Sequence, residues 1–168
     1  MLQGFPPLAR ADARVLILGS MPGVASLQAA TYYAHPHNSF WSIMGAVCGA
    51  TPDLPYAERV VRLQAAGIAL WDVVGRCRRQ GSLDAAIEAG SVEVNDFSAF
   101  FQVHRSIRRI IFNGAAARDL FQRRVRPQHA GLSELPMHCL PSTSPANAAC
   151  RPAEKTAIWL AALGLPKS

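Results

Sequence analysis

Apolar residues collect in four short unbroken runs, separated by stretches that carry helical spacing. Residues 14–18 (Arg14-Val15-Leu16-Ile17-Leu18), 68–71 (Ile68-Ala69-Leu70-Trp71), 109–112 (Arg109-Ile110-Ile111-Phe112) and 137–140 (Met137-His138-Cys139-Leu140) are too short for helices. They lack polar alternation, which predicts strands buried on both faces. Between them, Phe40, Ile43, Met44 and Val47 fall at i, i+3, i+4, i+7 and predict a helix over residues 39–47. Pro55 opens a second helix over 56–66, and Gly67 closes it. Residues 84–89 and 96–103 read as shorter helical segments. Residues 115–124 read as a helix with Ala116, Leu120 and Phe121 on one side, and 152–163 as the last helix. Buried strands alternating with helices predict a parallel sheet in an α/β layer sandwich. Residues 1–12 read as a surface arm leading into the first strand.

In such sheets ligands bind outside the carboxyl ends of the strands. The chain places its unusual residues there. Gly19 to Gly23 follow the first strand, Asp72 the second, Asn113 the third, and Ser142 to Asn147 the fourth. That coincidence predicts one site at one edge of the sheet.

Length and charge narrow the class. The 168 residues fit one domain, 1–168, and half of them are apolar. The formal charge of +6 favours a polyanion such as nucleic acid, or marks an unspecialised basic surface. The basic residues are almost all arginine, with Lys155 and Lys167 the exceptions. The four cysteines form no CxxC pair and read as reduced, mostly buried thiols. No leader opens the chain and no apolar run spans a bilayer, so the expectation is a soluble, cytoplasmic protein without a membrane partner.

Each polar patch has a chemical and a structural reading. Gly19-Ser20-Met21-Pro22-Gly23 is a tight turn that presents backbone N–H groups to an anion, or an ordinary strand exit. It matches no dinucleotide or ATP fingerprint. Tyr32-Tyr33-Ala34-His35-Pro36-His37-Asn38-Ser39-Phe40-Trp41 suits a pocket that stacks on a flat heterocycle, while Asn38 also suits a helix cap. The two histidines lack a third ligand, so no metal is expected. Asn113 offers acceptor and donor side by side, the complement of a lactam edge, or simply turns the chain before Gly114. Asp72 either orients a partner or caps the next segment. Arg76, Arg78 and Arg79 contact phosphates or form a solvated basic face. Leu140-Pro141-Ser142-Thr143-Ser144-Pro145-Ala146-Asn147 is a stiff polar loop suited to phosphates and to wedging into a duplex.

Taken in order, the five motifs, with Leu70-Trp71-Asp72-Val73 and Phe112-Asn113-Gly114 among them, resemble the uracil-DNA glycosylase superfamily. Within it they are similar to the hypoxanthine-DNA glycosylase branch. The resemblance spans residues 15–163. It implies a three-layer α/β sandwich, with a central four-stranded parallel sheet flanked by helices. It implies a monomeric, monofunctional DNA glycosylase of base-excision repair, without cofactor or metal, acting on double-stranded DNA that holds a deaminated base. Asn38 is then catalytic, with Ser20 and Met21 in the first motif. Asn113, Phe40, Tyr33 and Asp72 bind the base. Pro141, Ser142, Thr143, Ser144, Pro145 and Asn147 bind DNA. Lys155, on the last helix, is expected to meet phosphate.

Two departures from the superfamily pattern bear on substrate. Met21 stands where other branches carry Asp or Asn to handle the attacking water. Leu140 stands where others carry His to steady departing uracil. Both argue against strong uracil excision and move polar catalysis to Asn38. The alternatives are a uracil or mismatch-thymine glycosylase, a small-molecule α/β hydrolase using Ser142 or Ser144 with His138, and a non-catalytic DNA-binding module.

Overall fold

The computed structural model describes residues 1–147 and 149–164. The last residues of the expected domain, 165–168 with Lys167, lie outside the described residues. In chain order the elements are β1 (Leu2–Gln3), β2 (Val15–Gly19), α1 (Val24–Ala29), α2 (Phe40–Cys48), α3 (Tyr56–Ala65), β3 (Ile68–Asp72), β4 (Val74–Cys77), β5 (Glu93–Val94), α4 (Phe97–Val103), β6 (Arg109–Asn113), α5 (Ala115–Arg124), β7 (Met137–Leu140) and α6 (Pro152–Leu163).

The four apolar runs form one four-stranded parallel sheet in the order β3-β2-β6-β7. Successive residues of a strand face opposite sides. Leu16, Leu18, Ile110 and Phe112 therefore meet Phe97, Phe100 and Phe121 of α4 and α5 on one face. Val15, Ile17, Leu70 and Ile111 meet Phe40, Ile43, Leu63 and Trp159 of α2, α3 and α6 on the other. Each fully buried Leu, Ile or Phe contributes about 1.5–3 kcal/mol. Helices on both faces of a mostly parallel sheet give the three-layer architecture expected from the sequence.

Element ends follow local chemistry. Gly49 takes φ 79° and closes α2, its N–H donating to Gly45 O. Gly67 takes φ 80° to turn α3 into β3. Asp96 caps α4 by accepting from the Ala99 N–H at 3.0 Å.

The structure corrects several expectations. The loop after Gly19 contains α1. Residues 84–89 hold separate 3-10 turns at Asp84–Ala86 and Ala89–Ser91 rather than one helix. The buried face of α5 is Ala117 and Phe121, with Ala116 only half-buried. A second small sheet, β1-β4-β5, was not legible, because β4 carries Gly75 and Arg76 and lacks an apolar run. The surface arm is laid against the body. Leu2 and Gln3 pair with β4, and Leu8 bridges Leu70. The Phe5 carbonyl accepts from Trp71 Nε1 at 3.0 Å. Of the cysteines only Cys77 is buried, and Cys139 is exposed on β7. No helix among the described residues is long and apolar enough to cross a membrane.

Candidate active site

Register puts the polar strand ends in one row. Gly19 pairs with Asp72, Leu18 pairs with Phe112, and Asn113 pairs with Leu140. Asp72 and Asn113 therefore flank Gly19 on neighbouring strands. Gly19 is glycine for a steric reason. A Cβ there would lie 2.5 Å from Asp72 Oδ1 and 2.9 Å from Tyr33 Oη. A carboxyl and a phenol thus converge above its Cα. Tyr33 reaches this point from a left-handed backbone, φ 55°, a conformation that costs a non-glycine residue about 1–2 kcal/mol. Its ring leans on Phe40 at a centroid distance of 4.2 Å.

Asn113 is committed to a structural task. The Thr143 backbone N–H donates to Asn113 Oδ1 at 2.9 Å, and Asn113 Nδ2 donates to Thr143 Oγ1 at 3.0 Å. A backbone N–H only donates, so this pair fixes which way the amide faces. Both bonds go to one residue, so the side-by-side acceptor and donor of Asn113 are occupied by Thr143.

Asn38 has two duties. Its Oδ1 accepts from the Phe40 N–H at 2.9 Å and caps the start of α2. The same half-buried side chain lines the cleft, and the cap leaves its Nδ2 donors for that side. The cap and the catalytic reading are compatible.

The 141–147 loop is built from its own hydroxyls. Ser142 Oγ accepts from the Ser144 N–H at 3.1 Å, and Ser144 Oγ from the Ala146 N–H at 3.2 Å. Asn147 Nδ2 donates to Ser142 O at 3.3 Å. Trp159 Nε1 donates to Pro141 O at 2.9 Å. Lys155 is 4% exposed and donates to Ser144 O at 3.2 Å, so it braces the loop instead of standing at the surface for phosphate. The serine hydroxyls hold the loop together and His138 is exposed on β7, an arrangement that does not make a Ser–His nucleophile.

A further wall went unrecognised in the sequence. Arg79, for which the sequence alone offers a phosphate contact or a solvated charge, is 8% exposed. It donates to Gly81 O at 2.7 Å and to Pro22 O at 2.8 Å. Ser82 Oγ accepts from the Val24 N–H at 2.9 Å, and Ser20 Oγ donates to Asp84 at 2.5 Å. These bonds clamp residues 79–84 against the 19–24 turn, so Ser82, Leu83 and Asp84 line the cleft. The Gly-Ser pair, a turn signal, was the one hint available. Arg76 and Arg78 are exposed and pair with Glu93 and Glu88.

The resulting cleft has a volume of about 280 Å³. This is close to the lower end, roughly 300 Å³, of small-ligand pockets. Ser20, Met21, Tyr33, Asn38, Asp72, Asn113, Ser142, Thr143, Ser144 and Pro145 all line it. Phe40, Pro141 and Asn147 do not. Phe40 is fully buried and supports Tyr33 from behind, and the other two shape the loop. The Met21 side chain packs with Val74, Cys77 and Val92, leaving its backbone at the cleft. Among the described residues no group of three or more His, Cys, Asp and Glu side chains is placed to hold a metal.

Among the described residues, three buried polar atoms without a partner set the electrostatics, Arg79 Nη1 being the third beside the two that follow. Asp72 Oδ2 and Tyr33 Oη are shut off from solvent and have no hydrogen-bond partner. Asn113 lies beside the Tyr33 hydroxyl at a geometry short of a hydrogen bond. Burial, reinforced by the Asp84 charge and opposed by Arg79, pushes the Asp72 carboxyl up to about 7. Burial and the Asp72 charge push the Tyr33 phenol well above its usual value, so it stays neutral. A buried group with a raised pKa in a cleft is a mark of a functional site.

Comparison with known proteins agrees with this geometry. The profile of the uracil DNA glycosylase superfamily matches residues 6–163. A hypoxanthine DNA glycosylase of Methanosarcina barkeri (strain Fusaro) is 36% identical over 113 residues, covering 67% of this chain and 70% of its own length. A hypoxanthine DNA glycosylase of Methanosarcina acetivorans is 37% identical over 116 residues, covering 68% and 72%. A solution NMR structure from Methanosarcina acetivorans, described as a candidate uracil DNA glycosylase, superposes with a TM-score of 0.76 at 32% identity. That alignment covers 97% of this chain and 98% of the other.

Proposed function

The chain belongs to the uracil DNA glycosylase superfamily, and on that premise we propose that it is a monofunctional DNA glycosylase of base-excision repair that releases hypoxanthine from duplex DNA. One observation carries the reading. Tyr33 with Asn38, Asp72, Asn113 and the 141–147 loop come from four separate segments and meet around one base-sized cleft at the carboxyl ends of the sheet. The names of the Methanosarcina relatives support hypoxanthine as the base. Met21 and Leu140, apolar where uracil-excising branches carry polar catalysts, support a lesser place for uracil. The chain acts in this reading as a cytoplasmic monomer, its formal charge of +6 drawing it to the duplex.

The damaged nucleotide is swung out of the stack, at a cost of a few kcal/mol. The rigid 141–147 loop enters the minor groove and fills the gap, with Ser142 and Ser144 near the flanking phosphates and Thr143 buried behind them on Asn113. The base enters the cleft beside Tyr33 and over Asp72. The N-glycosidic electron pair leaves with the base while the sugar gains oxocarbenium character. Water held by Asn38 bonds to the anomeric carbon, and its proton ends on the released base. An amide takes no proton near neutral pH. Rate therefore comes from positioning and from donors at residues 20–23 facing the negative charge that grows on the base.

The test is incubation with duplexes bearing deoxyinosine or deoxyuridine, followed by alkali and chromatography of the free base. Free hypoxanthine, an alkali-labile site and no cleavage before alkali are expected. Asn38→Ala should slow release by about 100-fold or more, as loss of a well-placed polar group does. Salt-sensitive duplex binding with no base release would mean a binding module and end the proposal.

A further inference from the structure

Resting on that reading, we infer that Asp72 reads the lactam edge of the extruded base as a neutral carboxylic acid, and so admits hypoxanthine while rejecting guanine. The acceptor–donor edge first expected from Asn113 is held by Thr143. Across Gly19 in the same row, the Asp72 carboxyl is committed to nothing. It is 4% exposed, it lines the cleft, and its Oδ2 is sealed without a partner. A buried, unpartnered polar atom costs about 1–3 kcal/mol, a cost that a ligand filling its valence removes.

Among the described residues no cation forms an ion pair with this carboxyl. Arg79, whose charge acts on it, gives Nε and Nη2 to Gly81 O and Pro22 O, and its buried Nη1 has no hydrogen-bond partner. The other groups facing Asp72 are Asp84, whose charge opposes ionisation, and the phenols of Tyr32 and Tyr33, both held neutral by burial. Asn95 Nδ2 donates to the Asp72 backbone carbonyl, not to its side chain. Everything packed against the carboxyl except Arg79 is neutral or negative, which favours the protonated form.

Protonation changes what the group can recognise. An ionised carboxylate only accepts, whereas a neutral acid donates through O–H and accepts through C=O. The N1–H and O6 of hypoxanthine are one donor and one acceptor, which the neutral acid complements. Guanine adds a 2-amino donor beside N1–H. That pair of donors suits a carboxylate, and the neutral acid leaves one of them unpaired. A site built around specific hydrogen bonds rejects the mismatched analogue strongly. Hypoxanthine lacks only that amino group, so the protonation state of Asp72 separates the lesion from a normal base. Binding of the lactam holds the proton on Asp72 by linkage.

The test is the pH profile of single-turnover hypoxanthine release from a deoxyinosine duplex, for the wild type, Asp72→Ala and Asp72→Asn, between pH 6 and 8.5. Wild-type release should fall with a slope approaching tenfold per unit once Asp72 ionises. Asp72→Ala should lose at least about tenfold at pH 6. Asp72→Asn, whose amide copies the neutral acid, should recover part of that loss and show no decline across the range. Carboxyl-carbon NMR of the wild type should find Asp72 protonated at pH 6. An ionised Asp72 at pH 5, or the same alkaline decline in Asp72→Asn as in the wild type, overturns the inference while leaving the glycosylase reading intact. A wild type that releases no hypoxanthine at any of these pH values sinks the glycosylase reading and the inference together.

Discussion

Asp72 and Asn113 stand on either side of Gly19, at equivalent heights in the sheet, and are buried to a similar degree. Their side chains are close to isosteric, yet their surroundings are opposite. Every contact of the Asn113 amide with Thr143 stabilises the folded chain and fixes the 141–147 loop. The Asp72 carboxyl faces a phenol, the Asp84 carboxylate and the Arg79 charge, and its buried Oδ2 has no hydrogen-bond partner. A satisfied buried polar group reports structure. An unsatisfied one destabilises the free protein and is retained when a ligand completes it. The contrast sets Asn113, which builds the site, apart from Asp72, to which the proposal gives the base.

The largest effect that would sharpen this contrast is a pH dependence of stability. The Asp72 carboxyl is raised from an ordinary carboxylate value to about 7 in the folded state. Its contribution is therefore fully present below about pH 4 and lost as pH rises through about 7. Asp72→Asn does not titrate, so it should gain on the wild type by up to about 4 kcal/mol across that window. Urea midpoints at pH 4 and pH 8 measure the difference. An unchanging gap would mean that Asp72 is ionised and paired in the fold, and the contrast would collapse.

Asn113→Ala comes next. It removes two buried bonds and strands the Thr143 N–H, a loss of about 2–3 kcal/mol. Hydrogen exchange at the Thr143 amide should rise with it. Retained protection there would show the loop to be held by other contacts. Gly19→Ala strikes both sides at once, since its Cβ would press on Asp72 and Tyr33. About 2 kcal/mol of overpacking is expected, with hypoxanthine release falling more than duplex affinity. The smallest effect is Lys155→Met, which keeps the buried stem but loses the bond to Ser144 O. About 1 kcal/mol and a modest fall in duplex affinity should follow, visible as a lower melting temperature and a weaker gel shift.

Strands β2, β3 and β6 were readable because a strand buried on both faces is apolar at nearly every position, a local property of the chain. Strand β7 instead lies at the sheet edge with His138 and Cys139 exposed, against the expectation of burial on both faces. The site's address was readable for a related reason: polar residues directly after such runs emerge at one sheet edge. The small sheet escaped notice because Leu2–Gln3, Val74–Cys77 and Glu93–Val94 are short, mixed in polarity and far apart in sequence. Residues 79–84 escaped because their place in the cleft depends on Arg79 folding inward to carbonyls of the 20–23 turn.

The amino-acid order by itself determined where the chain is extended, where it is helical, and which polar motifs crowd one end of the sheet. It could not determine what each polar side chain does there. Arg79 and Lys155 read as solvated charge or phosphate contact, and each turned inward to fasten a loop, while Asn113, readable as base reader or turn residue, holds Thr143. Period and propensity act over a few neighbouring residues. The partners of a buried polar atom arrive from segments dozens of residues away, and only the assembled core brings them within bonding distance.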